Sequence, residues 1–300
     1  LAIYGEGGSG KANLDGIALN NVTINSGEDV ELVGVSGIAK RINDSSGLYL
    51  NKLTLSSRNL DLYGFHSEND STSKGARLDG VQLIDSRLNL KGELNAFGIL
   101  GSAVKLKDSA GIYVDNSEIR ALSIDLFGGP PLDDVWDDID SDLSVENVSS
   151  LTGSSSGKNI GLRLNNSELT TTDGDLILFG QGGEGEKKLH GIWLADTKLK
   201  SKIGNIVIDG ISGYGGTDMN GLVVEFSDLI SGDMIKLTGY SGESDTASSN
   251  SGLYLDNSFL RASTIKASGF GGDVTEKGDI LDGIFSLDSE WLADNRLKLK

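Results

Sequence analysis

Residues 161–166 read GLRLNN, and the same phrase returns as GIWLAD at 191–196, GLVVEF at 221–226 and GLYLDN at 252–257. A glycine, two apolar residues flanking a variable one, then a polar step: this alternation at period 2 is the pattern of a half-buried strand. The phrase also occurs as GIALNN at Gly16, GLYLNK at Gly47, GARLDG at Gly75 and GIYVDN at Gly111, with a looser GIFSLD at Gly283. Successive anchors lie 31, 28, 36, 50, 30, 30, 31 and 31 residues apart. A second phrase, apolar-x-apolar-x-Gly, follows the anchors by 17 to 19 residues, as in LDLYG ending at Gly64, IDLFG at Gly128 and LILFG at Gly180. Short alternating pieces such as VTINS from Val22 and SELTT from Ser167 lie between the two.

Each unit of about 30 residues therefore holds three short strands and cannot bury its apolar face alone, so units must stack. The pattern predicts an all-β fold, a right-handed parallel β-helix with three strands per coil and nine to ten coils. Residues 1–300 form one solenoid, with 129–160 as an insertion loop within it. Leu48 with Leu50, Leu60 with Leu62, Ile192 with Leu194 and Leu253 with Leu255 are the expected inward pairs. A propeller fits less well, because its blades need about 40 residues and four strands.

Composition agrees: glycine is 42 of 300 residues, proline 2 and cysteine 0. The net charge of −18 argues against nucleic acid, whose phosphates need a basic face, and against anionic membrane surfaces. No stretch reaches the roughly 18 apolar residues of a membrane span, so no membrane insertion is expected.

Gly5 to Ala12 reads GEGGSGKA, one residue from the phosphate-binding G-x-x-x-x-G-K-[ST]. A strand pair follows where the motif needs a helix, and the hydroxyl position is Ala12. Gly5 instead takes the slot of Gly180 and Gly210, and Gly5 with Gly8 joins a G-x-x-G series that includes Gly34 with Gly37.

The insertion carries both prolines and a dense acidic run. Asp138, Asp140 and Asp142 alternate as at the start of a calcium loop, although Leu143 replaces the turn glycine and Ser149 the closing Glu. Calcium is thus the one cofactor considered. His66 and His190 form no metal-ligand spacing, and no pair of carboxylates stands out as an acid/base couple. No enzymatic activity is expected.

The outward residue of each first strand is read as Ala18, Tyr49, Arg77, Tyr113, Arg163, Trp193, Val223, Tyr254 and Phe285. Two positions later come Asn20, Asn51, Asp79, Asp115, Asn165, Ala195, Glu225 and Asp256. Tyr49, Tyr113, Arg163, Trp193 and Tyr254 form a candidate ligand-binding face for sugar rings or a protein strand; a stabilising surface ladder is the alternative. Sequons place candidate glycosylation sites at Asn21, Asn43, Asn69, Asn147 and Asn165.

The Gly-apolar-x-apolar-[ND]-[NS] phrase and the DN and NN steps at Asp115-Asn116, Asn165-Asn166 and Asp256-Asn257 resemble the filamentous-haemagglutinin-like and high-molecular-weight adhesins of the two-partner secretion family. The resemblance covers nearly the whole chain and is architectural. It implies an internal segment of a secreted, cell-surface bacterial exoprotein, exported through an outer-membrane partner and binding a host-surface receptor or glycan. A structural shaft of a contact-dependent toxin-delivery exoprotein is the alternative it implies. A polysaccharide-cleaving β-helix enzyme is a third possibility.

Overall fold

In a computed structural model of the chain, residues 1–10, 13–37, 44–66, 77–101, 108–130, 158–185, 187–215, 217–242, 250–272 and 282–300 are described. All the elements among them are strands, and their pairings between successive coils are parallel. The chain is a β-solenoid of about 31 residues per turn. Each turn contributes a leading strand, such as Lys158–Asn165, a middle strand, such as Glu168–Thr171, and a third strand, such as Leu176–Gln181. The leading strands stack into one nine-stranded sheet. The other two faces join into a 17-stranded sheet, because Phe259–Phe270 runs unbroken from the middle face to the third. About seven turns are enclosed, slightly fewer than the nine to ten expected. The first and last strands of the nine have a neighbour on one side only.

The expected inward pairs are the core. Leu48, Leu50, Leu60, Ile192, Leu194, Leu253 and Leu255 are fully buried and Leu62 almost so. A buried leucine contributes roughly 2 kcal/mol from apolar transfer, and stacking repeats that contribution along the axis.

The corner from third strand to the next leading strand is a seam of paired glycines. A Cβ on Gly34, Gly64, Gly98, Gly128, Gly180, Gly210, Gly239 or Gly269 would overlap the carbonyl oxygen of the next coil's leading glycine. Those partners are Gly47, Gly80, Gly111, Gly161, Gly191, Gly221, Gly252 and Gly283. The second series holds too, since a Cβ on Gly213 would strike Gly183, and one on Gly242 would meet Gly213.

This seam corrects one expected register. Leu48 pairs with Val81, Tyr49 with Gln82 and Asn51 with Ile84, so the anchor of that coil is Gly80. GARLDG at Gly75 imitates the phrase, but Gly98 selects the glycine 18 residues before it. Gln82 takes the place expected for Arg77, and Ile84 that expected for Asp79.

The corner after each leading strand is a second repeated device. Asn21, Lys52, Asp85, Asn116, Asn166, Asp196, Phe226, Asn257 and Asp288 all have φ between 44° and 56°. Asn and Asp tolerate this left-handed region best among residues with a Cβ, which explains the DN and NN steps. The following hydroxyl turns inward. Ser86 N donates to Ser117 Oγ at 3.0 Å, Ser117 N to Ser167 Oγ at 3.1 Å and Ser227 N to Ser258 Oγ at 3.2 Å. Each hydroxyl donates back two residues, as Ser117 Oγ does to Asp115 O at 2.8 Å.

Phe226 holds this corner with an exposed ring and no amide to compensate. Phe226→Asn is expected to stabilise the fold by about 1 kcal/mol, read as a rise in melting temperature. Gly98→Val removes the seam at one coil and is expected to abolish soluble folded protein, read by expression and circular dichroism.

Candidate ligand-binding face

The leading strands set their outward side chains in one column. Tyr113 pairs with Arg163, Arg163 with Trp193, Trp193 with Val223, Val223 with Tyr254 and Tyr254 with Phe285. Tyr49 lies in the same column, reached through Gln82. The five expected face residues are therefore brought together in register. Tyr113 and Val223 are buried, whereas Tyr49, Arg163, Trp193 and Tyr254 are half-buried.

The centre of the column is cationic and aromatic. The Arg163 guanidinium lies 4.8 Å from the Trp193 ring centroid and 5.3 Å from that of Tyr113. Lys188 and Lys158 approach the same indole at 4.8 and 5.6 Å. Trp193 Nε1 donates to Glu225 Oε2 at 2.9 Å, which fixes the ring. Further along, Tyr254 stacks on Phe285 with centroids 5.2 Å apart.

Arg77, expected in this column, precedes it on its strand and stacks on the Tyr113 ring at 3.9 Å. Its ion-pair partner is Asp79, which is fully buried rather than facing out. Gln82 Nε2 and Ala110 N also donate to that carboxylate, at 2.5 and 2.6 Å. Burial pushes the Asp79 carboxyl up to about 6 despite Arg77. The register error concealed this buried cluster; matching Gly98 to Gly80 reveals it.

Both histidines are also interior. His66 lies between Ser36 Oγ at 2.7 Å and the Asp79 carbonyl at 2.6 Å, and burial pushes it down to about 4. His190 Nδ1 accepts from Asn220 N at 3.2 Å, and its ring meets Trp193 edge-on at 5.7 Å. Burial first, then Lys188 and Lys158, push it down to about 3.

Asp138, Asp140, Asp142, Asn43, Asn69 and Asn147 lie outside the described residues. Among the described residues no group of three or more acidic or histidine side chains is placed to hold a metal. Asn21 is exposed at its corner. Asn165 is half-buried and donates its amide to Asp115 Oδ1 at 2.6 Å.

Comparison with protein-family models, with curated proteins and with solved structures finds no match to this chain. Fold and face define its class: an all-β parallel β-solenoid with an in-register aromatic and cationic ladder on one side.

The interior histidines fix a sign for the pH dependence of stability. Their folded pKa values lie below the unfolded value near 6.5, so the stability they contribute is present above that pH. It is lost as pH falls toward 4 for His66 and 3 for His190. Asp79 opposes this: its raised pKa contributes stability present below about 3.9 and lost as pH rises through about 6. Between pH 6.5 and 4 the melting temperature is expected to fall, and to fall less in His66→Gln/His190→Gln. Thermal melts across that range check it.

Proposed function

We propose that this solenoid is a segment of a large, secreted bacterial cell-surface adhesin that attaches to a host-surface receptor or glycan through its leading face. The observation that carries the reading is the cluster at Trp193. Arg163, Lys158 and Lys188 gather around one indole in a chain of net charge −18. Among the described residues, only Lys158 of the three has an ion-pair partner, Asp108 at 3.6 Å. Arg163 and Lys188 without an ion-pair partner beside an aromatic ring suit an acidic sugar, whose carboxylate or sulfate takes the charge while the C–H face of its ring packs on an aromatic face. The repeat resemblance supports the adhesin class and a cell-surface location, with export through an outer-membrane partner.

A second reading, a structural shaft of a toxin-delivery exoprotein, is favoured by the same contacts seen differently. Arg77, Tyr113, Arg163 and Trp193 pair coil to coil and so stiffen the solenoid without any ligand.

Binding of the 300-residue protein to a glycan array, with and without calcium, separates the two. The adhesin reading expects binding to acidic glycans that falls roughly tenfold in Trp193→Ala, about 1.4 kcal/mol, with the melting profile retained. A shaft expects no binding by the folded protein. On either reading the protein is not an enzyme, so incubation with acidic polysaccharides is expected to release no reducing ends.

A further inference from the structure

The third face carries a charge pattern that its neighbouring face lacks. On the middle face the two signs are interspersed, with one like pair, Glu118 opposite Glu168. Arg87 pairs in register with Glu118 and bonds to it at 2.5 Å, and Lys198 stands between Glu168 and Asp228. Each of those two glutamates has a cation on its other side, Arg87 or Lys198, so opposite charges meet within one chain.

One outward column of the third face is segregated instead. Its early coils present Glu31, Asp61, Asn95 and Asp125 in direct register. Its late coils present Lys236, Lys266 and Lys298. Between them stand two half-buried apolar residues, Ile177 and Val207. Like charges directly opposite one another on adjacent strands are destabilising, so this ordering works against the single chain. Lys236, Lys266 and Lys298 are direct neighbours, as are Glu31 and Asp61, while Asn95 donates its amide to Asp61 Oδ1 at 2.9 Å. Lys236 reaches Asp209 at 3.4 Å, while exposed Lys266 and Lys298 form no ion pair among the described residues.

We propose that the third face is an interface with a second copy of this chain, packed face to face with the two solenoid axes antiparallel. A two-fold axis lying in the face, along the strands and between the coils of Ile177 and Val207, keeps each column on itself while reversing coil order. It sets Ile177 against the partner's Val207. By the same operation Asp125 meets the partner's Lys236, Asn95 the partner's Lys266 and Asp61 the partner's Lys298.

The adjacent outward column is complementary in size under the same operation. Tyr63, Phe97 and Phe127 stack at 5.6 and 5.0 Å, and Phe179 continues the ladder at 6.2 Å. The positions that continue the column are Asp209, Thr238 and Ser268. Phe179, Phe127 and Phe97 therefore face Asp209, Thr238 and Ser268 of the partner: bulk against small side chains. A parallel dimer would instead oppose acid to acid and lysine to lysine. The matched columns run roughly 35 Å at a coil rise of about 4.8 Å.

Sedimentation velocity over the micromolar range at constant salt tests the proposal, using Asp125→Lys and Lys236→Asp. Both positions are outward-facing and only partly buried, so each variant is expected to keep the native melting profile. The wild type is expected to dimerise, and each variant alone to weaken dimerisation roughly tenfold or more. Mixing the two variants restores both charge pairs in a heterodimer, and association should return. Asp61→Lys with Lys298→Asp repeats the swap at the far coils and is expected to behave alike. A wild type that stays monomeric, a dimer that both single variants leave intact, or folded variants that fail to associate when mixed would each overturn it.

Discussion

Close approach of two glycine backbones is the constraint on which the solenoid depends. At the end of each third strand the chain turns into the next coil against a carbonyl that leaves no room for a Cβ. Because the contact recurs in every coil, it sets where each leading strand begins. That start determines which side chains point inward, and a shift of one residue would exchange core and surface. The buried leucines, the left-handed corner and its serine ladder all keep their register from this seam.

Stacking in register has a further consequence. Each side chain's nearest neighbours are the same position one coil before and one coil after, so every outward column is a one-dimensional chain of pairwise interactions. Opposite charges on the middle face, Arg87 with Glu118 and Lys198 with Glu168 and Asp228, link neighbouring coils. The aromatic and guanidinium column of the leading face does so through stacked rings and cations. Segregated signs on the third face oppose the chain itself, and their complement lies in a reversed copy. Three faces of one repeat thus carry three different surface chemistries on a common backbone.

Much of this was legible because period-2 alternation and glycine spacing report directly on strand pairing. The inward pairs, the outward column from Tyr113 to Tyr254 and the strand register of Gly5 with Gly34 all follow from repeat phase. The exception is instructive. GARLDG has the local form of an anchor, and Gly75 even has Gly92 at the expected 17 residues downstream, yet it is Gly80 that packs against Gly98 and the Gly111 carbonyl. A local phrase records strand propensity; the anchor requires a partner one coil away. Arg77 and Asp79 therefore changed from two outward residues into an ion pair, with Asp79 fully buried and half-buried Arg77 stacked on Tyr113. The interior positions of His66 and His190 were likewise hidden, since neither lies on an alternating strand phrase.

By itself, then, the sequence determined the repeat, the three strands of each coil, the leucine core and the acidic character of the whole. Those properties depend on residues close in the chain or at a fixed spacing. Tertiary structure decided which charges neighbour one another: the cations around Trp193, the Arg77–Asp79 pair and the division of the third face into acidic and basic halves. The physical reason is that coil lengths vary, as the spacings of 28 to 50 residues between the repeated phrases already indicate. Only the pairing of backbones brings positions so separated into one column.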